Sequence, residues 1–211
     1  MKFTRVTGLP VLVMTLLAAG ILYAGTPEEE ILIKGAGYFD KKMYDKAVVE
    51  FTKALKINPK NAVTYTARGH SYAYLGQIGQ AIADFTKVIE INPGDVSAYT
   101  ARGYLYSDKN DPDKAIADFT KAIEKDNYGN AYTGRGYAYI QKNNAAQAIA
   151  DFSKAIEVDN DGNAYLGRAV VYFAKKDYDK AWLDVQKAQS LGNEPDPQFL
   201  KDLQKASGRT K

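Results

Sequence analysis

The chain has no cysteine and a single histidine, His70, among its 211 residues. The first absence excludes a disulfide framework, thiol chemistry and a lipidated cysteine anchor. The second excludes a histidine-based metal cluster within one chain. Charge of one sign is scarce as well. The formal net charge is +3, and without Lys2 and Arg5 the rest of the chain carries +1. The clustered positive charge that a nucleic-acid backbone requires is therefore missing, apart from a locally basic tail at Lys205, Arg209 and Lys211. No glycine-rich phosphate loop follows a strand pattern, and no nucleophile–base set or converging carboxylate pair stands out. The expectation is a protein that is not an enzyme, with no cofactor, no metal and no nucleic-acid partner.

Long apolar runs are also absent, with one exception. Lys2 and Arg5 precede an uncharged stretch from Gly8 to Gly25, and Thr26, Pro27 and Glu28 to Glu30 follow. Positive before and acidic after places the N-terminus inside and the body across the membrane. About 18 residues make roughly 27 Å of helix, just enough to span. Residues 1–25 read as a cleaved signal peptide or a retained single-span anchor; a buried helix of the soluble body is the bland alternative. The body is expected to be exported, periplasmic or otherwise extracytoplasmic.

What is abundant is repetition. Ala47, Ala81, Ala115, Ala148 and Ala181 recur at steps of 34, 34, 33 and 33 residues. Four residues on stand Phe51, Phe85, Phe119, Phe152 and Val185; three further on stand Ala54, Val88, Ala122, Ala155 and Ala188. Twelve residues before the anchor alanines stand Gly35, Gly69, Gly103, Gly136 and Ala169, each followed three residues later by a tyrosine, Tyr38, Tyr72, Tyr106, Tyr139 and Tyr172. Offsets of 3, 4 and 7 are helical. Breaks at Asn58-Pro59, Gly76, Asn92-Pro93 and Asn110-Asp111-Pro112 divide each repeat into two helices. Small residues let two helices approach, and the rings fill the space beside them. A lone hairpin of this size leaves its apolar face open, whereas five in a row cover one another. The predicted fold is all-α, a solenoid of about five antiparallel helix hairpins at 28–61, 62–95, 96–128, 129–161 and 162–195. Residues 196–211 add a helix with the apolar stripe Phe199, Leu200, Leu203 and Ala206 and the basic tail. That helix reads as a cap on the last hairpin, with a docking helix for a partner as the rival.

This pattern resembles the tetratricopeptide repeat family, although the closing proline is met only at Pro59 and Pro93. The resemblance implies a superhelix whose concave face is lined by the first helix of each repeat, and a role in binding proteins or peptides. It places Thr66, Thr100 and Thr133 on that face in one row and, one turn on, His70, Tyr104 and Tyr137. Asp108, Asn130, Gln141 and Asn163 add polar groups there, and Phe39 and Phe173 add apolar area. Hydroxyls can bond a peptide backbone, and rings provide contact area at low entropy cost. The alternative place for Tyr104 and Tyr137 is between neighbouring first helices. Lysine and arginine are missing from the groove, so a carboxylate clamp is not rebuilt.

One departure from the family is a charge pattern. Arg68, Arg102, Arg135 and Arg168 each precede the small packing residue, and Asp84, Asp118, Asp151 and Asp184 stand sixteen residues after them. Repeat one has Lys34 and Glu50 at the same offset. Opposite sign kept through a change of residue type predicts a structural ladder, within a hairpin or across adjacent hairpins; a ligand-facing arginine row is the rival. Two functions fit the whole: a protein-binding adaptor outside the cytoplasm that uses its concave face, or an assembly component of an envelope complex that mainly self-associates.

Overall fold

The structure, a computed structural model, describes residues 25–127 and 129–209. The candidate leader therefore lies outside the described residues except for Gly25, as does Lys211. Eleven helices follow one another, with no strand among the described residues: α1 (Pro27–Asp40), α2 (Tyr44–Ile57), α3 (Ala62–Tyr74), α4 (Ile78–Ile91), α5 (Val96–Asp108), α6 (Pro112–Lys125), α7 (Gly129–Gln141), α8 (Ala145–Asp159), α9 (Gly162–Ala174), α10 (Tyr178–Ser190) and α11 (Pro197–Ser207). They are paired helices closed by a final capping helix.

Helix starts are set by side chains that accept the orphan N–H groups of the first turn. The Thr26 hydroxyl accepts from the Glu29 amide while the Glu29 carboxylate accepts from the Thr26 amide, a complete capping box on α1. Asn61, Asp95, Asp111, Asn144, Asp161, Asp177 and Asp196 cap seven others. Pro27, Pro112 and Pro197 sit in the first turn, where a missing N–H costs nothing. The turn inside each hairpin needs one residue at positive φ, filled by Lys42, Gly76, Asn110, Asn143 and Lys176. Glycine and asparagine suit that backbone; the two lysines, in the first and last hairpins, do not.

The chain divides into two units, Met1–Lys109 and Asn110–Lys211. In the first, α1 to α5 pack in chain order, and α1 also meets α3. Phe51 lies among Phe39, Ala47 and Ala67, and Phe85 among Ala81, Val88, Ala98 and Leu105. In the second unit, α6 to α11 again pack in order, and α7 also meets α9. Phe152 lies among Ala148, Ala155, Ala164 and Val171. Each ring is completely buried, which stabilises by about 1.5–3 kcal/mol. Helices that bury their rings against the next hairpin are the packing of a solenoid.

The rings explain where glycine is required. In α9, a Cβ added at Gly167 stands 2.5 Å from the Phe152 ring of the preceding hairpin, and one at Gly134 in α7 stands 2.5 Å from Phe119. The equivalent residue in α3 is Ala67, which packs on Phe51. The two glycines occur in the two repeats entered by a 33-residue step, so the shorter connector and the closer approach go together. Gly167→Ala is expected to lower stability by about 1–2 kcal/mol in urea unfolding. Overpacking costs about 1–3 kcal/mol and outweighs the ~1 kcal/mol of helix propensity that alanine gains.

At the C-terminal end, α11 closes the last hairpin. Leu203 is fully buried among Ala169, Trp182 and Val185, with Phe199 and Leu200 packed on the same cluster. The Trp182 indole N–H donates to the Ser207 hydroxyl at 2.9 Å. Phe199 meets Phe173 edge-on at 5.6 Å. Arg209 of the basic tail reaches the same hairpin, where it bonds Asp179 at 2.7 Å.

Candidate protein-interaction site

The charge ladder is a buried three-part clasp. Arg68 on α3 makes two parallel bonds to Asp84 on α4, Nε to Oδ2 and Nη2 to Oδ1, both 2.8 Å. Arg135 and Asp151 repeat this at 2.7 and 2.8 Å, and Arg168 and Asp184 at 2.8 Å twice. The remaining guanidinium nitrogen turns to the preceding hairpin. Nη1 of Arg68 donates to Thr52 at 3.0 Å, Arg102 to Thr86 at 2.9 Å, Arg135 to Thr120 at 3.0 Å and Arg168 to Ser153 at 2.9 Å. Arg68, Arg135 and Arg168 thus each join the two helices of their own hairpin to the hairpin before it. The guanidinium lies over tyrosine rings, Tyr65 and Tyr72 for Arg68 and Tyr165 and Tyr172 for Arg168, at 5.5–5.9 Å. Arg68, Arg135 and Arg168 are held protonated more firmly than usual, chiefly by the aspartate hydrogen bonds. Before repeat one no hairpin stands among the described residues, and there a lysine takes the arginine's place. Lys34 bonds Glu50 at 3.0 Å, and that contact lowers the Glu50 carboxyl below its ordinary range.

Sequence reading paired the arginines with the aspartates but missed the hydroxyls. Their signal is present: Thr52, Thr86, Thr120 and Ser153 follow the core phenylalanines at steps of 34, 34 and 33.

The candidate contact residues of the first helices divide by exposure. His70 is buried and meets the Phe85 ring edge-on at 4.9 Å. Desolvation lowers its pKa to about 4. Thr66 and Thr100 turn their hydroxyls onto their own helix, to the carbonyls of Ala62 and Val96, and Thr100 is buried. Thr133 is buried too and donates to Asp161 at 2.7 Å. Tyr137 packs edge-on against Phe152 at 5.1 Å and donates to the Asn163 carbonyl at 3.2 Å. Burial, with Asp161 nearby, pushes its phenol well up. It therefore stands between the neighbouring first helices α7 and α9. Tyr104, Gln141 and Phe173 are half-buried, the last against Tyr178 and Phe199. Asp108, Asn130 and Asn163 are exposed; partial desolvation raises the Asp108 carboxyl, and Asn163 accepts from Asn193 at 3.2 Å. The exposed polar members of this set are Asp108 in the first unit and Asn130 and Asn163 in the second.

One buried hydroxyl on α3 lacks a partner. Thr64 is 1% exposed and its Oγ1 makes no hydrogen bond, whereas Ala98, Ala131 and Ala164 occupy the equivalent place. Thr64→Val is expected to raise stability by about 1 kcal/mol in thermal unfolding, because an unsatisfied buried hydroxyl is removed at similar volume.

Among the described residues, no group of three or more His, Asp and Glu side chains is placed to hold a metal ion. No described helix is long and apolar enough to cross a membrane.

Four family models match, all described as tetratricopeptide or TPR repeats: residues 35–76, 62–95, 85–117 and 133–195. No curated protein sequence matches. Among solved structures, a crystal structure of MamA is 24% identical with a TM-score of 0.67, covering 82% of this chain and 96% of MamA. PilW, described as a widely conserved type IV pilus biogenesis factor, is 20% identical with a TM-score of 0.76 and covers 89% of each chain. Pseudomonas aeruginosa PilF is 18% identical with a TM-score of 0.75, covering 86% of this chain and 84% of PilF. At these identities the likeness shows the fold alone.

Proposed function

Because the chain belongs to the tetratricopeptide repeat family, we propose that it is a non-catalytic assembly component, which holds a protein complex together outside the cytoplasm and associates with copies of itself. The observation that carries this reading is how the first helices spend their polar groups. Thr133, Tyr137 and the arginines bond neighbouring hairpins to one another. Polar groups spent on neighbouring hairpins are not left to read a peptide, which suits a spacer better than a recognition groove. The likeness to PilW, a pilus biogenesis factor, points the same way. The apolar stretch before Thr26 would hold the unit at a membrane or deliver it across one.

An adaptor that grips a peptide keeps one support: Asp108, Asn130 and Asn163 remain exposed on the first-helix side. Isolation of the full chain in mild detergent, with its mass measured by sedimentation, separates the two. A homo-oligomer, or a complex of fixed stoichiometry that survives Asn130→Ala with Asn163→Ala, supports the assembly reading. A monomer whose one partner is lost on those substitutions defeats it.

A further inference from the structure

In the first helices α3 and α9, three positions are covered by the hairpin before. In α3 they are Thr64, Ala67 and Ser71; in α9 they are Ala164, Gly167 and Val171, and all six are buried. The corresponding residues of α1 are Glu30, Ile33 and Gly37, before which no hairpin stands among the described residues. Glu30 is exposed and Ile33 is 39% exposed, against 4% for Ala67. A Cβ added at Gly37 meets nothing within 4 Å. With Lys41, which is also exposed, these residues fall at offsets of 3, 4 and 4, a single stripe along one helix face.

Resting on the assembly reading above, we propose that this stripe pairs with the same stripe of a second copy, in an antiparallel two-fold contact. The charge order favours self-pairing. Glu30 stands in the first turn of α1 and Lys41 is its C-cap residue, so an antiparallel partner sets Glu30 of each copy against Lys41 of the other. Ile33 supplies the apolar centre, and Gly37 lets the two helices come close. A closed two-fold contact of this kind uses one patch twice.

Two other occupants fit less well. The stretch from Gly8 to Gly25 contains no charged residue, whereas a segment that covers the end of a stack in water needs a polar outer side. The C-terminal end of another copy is also unsuitable. There α11 has already buried Leu203 and turns Lys201, Asp202 and Lys205 outward, so head-to-tail growth meets a charged cap. The expected product is a dimer. One α1 helix is about 21 Å long, so the contact is a short one.

The chain's lack of cysteine makes the test specific. Gly37→Cys introduces a single thiol beside the two-fold axis, and Lys201→Cys places one on the outer side of α11. The full chain in detergent micelles, oxidised with copper–phenanthroline, is expected to give disulfide dimers with the first and not with the second. In sedimentation, Glu30→Lys is expected to weaken the dimer about tenfold, and adding Lys41→Glu to restore it to within about threefold. This swap also tests the contact if Gly37→Cys folds poorly. Cross-linking no better at residue 37 than at 201, or a charge swap that does not restore association, overturns the proposal. If the unsubstituted chain still forms a homo-oligomer in that case, the α1 contact is refuted and the assembly reading stands. A monomer with no recovered complex refutes both.

Discussion

Arg135→Met is expected to destabilise the protein by about 3–5 kcal/mol, read as a lower urea midpoint with little change in slope. The arginine is tied at both ends of its guanidinium, to Asp151 within the hairpin and to Thr120 in the hairpin before. Asp151 is 4% exposed. Without the arginine, that carboxylate is left charged, buried and unpaired, and this stranding dominates the cost. The size of the effect therefore says little about what the pair itself contributes. Arg135→Met combined with Asp151→Leu separates the two. Replacing both members of a buried pair by apolar side chains is often close to neutral, so the double variant should recover at least half of the loss. The remainder comes from Thr120, left without its donor, and from the Tyr132 ring that loses the guanidinium at 5.6 Å. Added salt should change the cost little, since buried pairs are poorly screened. A loss below about 1 kcal/mol in the single variant, with partner binding abolished, would return the arginines to the ligand-facing role.

The parts of this molecule that were legible from sequence are those where one residue type answers another at a fixed offset. Gly35 and Phe51, or Gly136 and Phe152, are sixteen apart, and in the structure the ring of each pair lies against its glycine. Arg168 and Asp184 have the same offset and the same directness. The missed contacts run between repeats. Thr52 reads as an ordinary helix-surface residue until α3 brings Arg68 over it, and the change from alanine to Gly134 and Gly167 gains meaning only once Phe119 and Phe152 stand behind them. The candidate site was blurred by the same cause. The family's geometry assigns Thr133 and Tyr137 to a face, but it does not say how closely α7 and α9 approach. In the structure that approach is close enough for Asp161 and Asn163, 28 and 26 residues away, to bond them. The stripe on α1 is visible only against the covered stripes of the later first helices.

Stability should fall by about 2 kcal/mol between pH 7 and pH 5, and the single histidine is the reason. His70 is 4% exposed and faces the Phe85 ring; desolvation lowers its pKa from 6.5 to about 4. The neutral imidazole is thus the form the folded state accepts. As pH falls below 6.5 the unfolded chain takes up a proton that the native protein refuses until near pH 4, so unfolding is favoured across that window. Above pH 7 neither state binds the proton and this contribution is flat. One pKa unit corresponds to about 1.4 kcal/mol, and roughly 1.5 units of the gap are traversed by pH 5. Carboxylates such as Glu50, whose pKa lies below its ordinary range, join only at lower pH, which leaves the upper half of the window to His70. The control is His70→Tyr. Tyr137 makes the same edge-on contact with Phe152, at 5.1 Å and 74°, that His70 makes with Phe85, at 4.9 Å and 71°. A tyrosine at 70 therefore keeps the packing and removes the titrating group. Urea unfolding of this variant should give the same free energy at pH 7 and pH 5. If the variant instead loses stability over that interval as the unsubstituted chain does, the proton is being taken up elsewhere and the buried imidazole is not the cause.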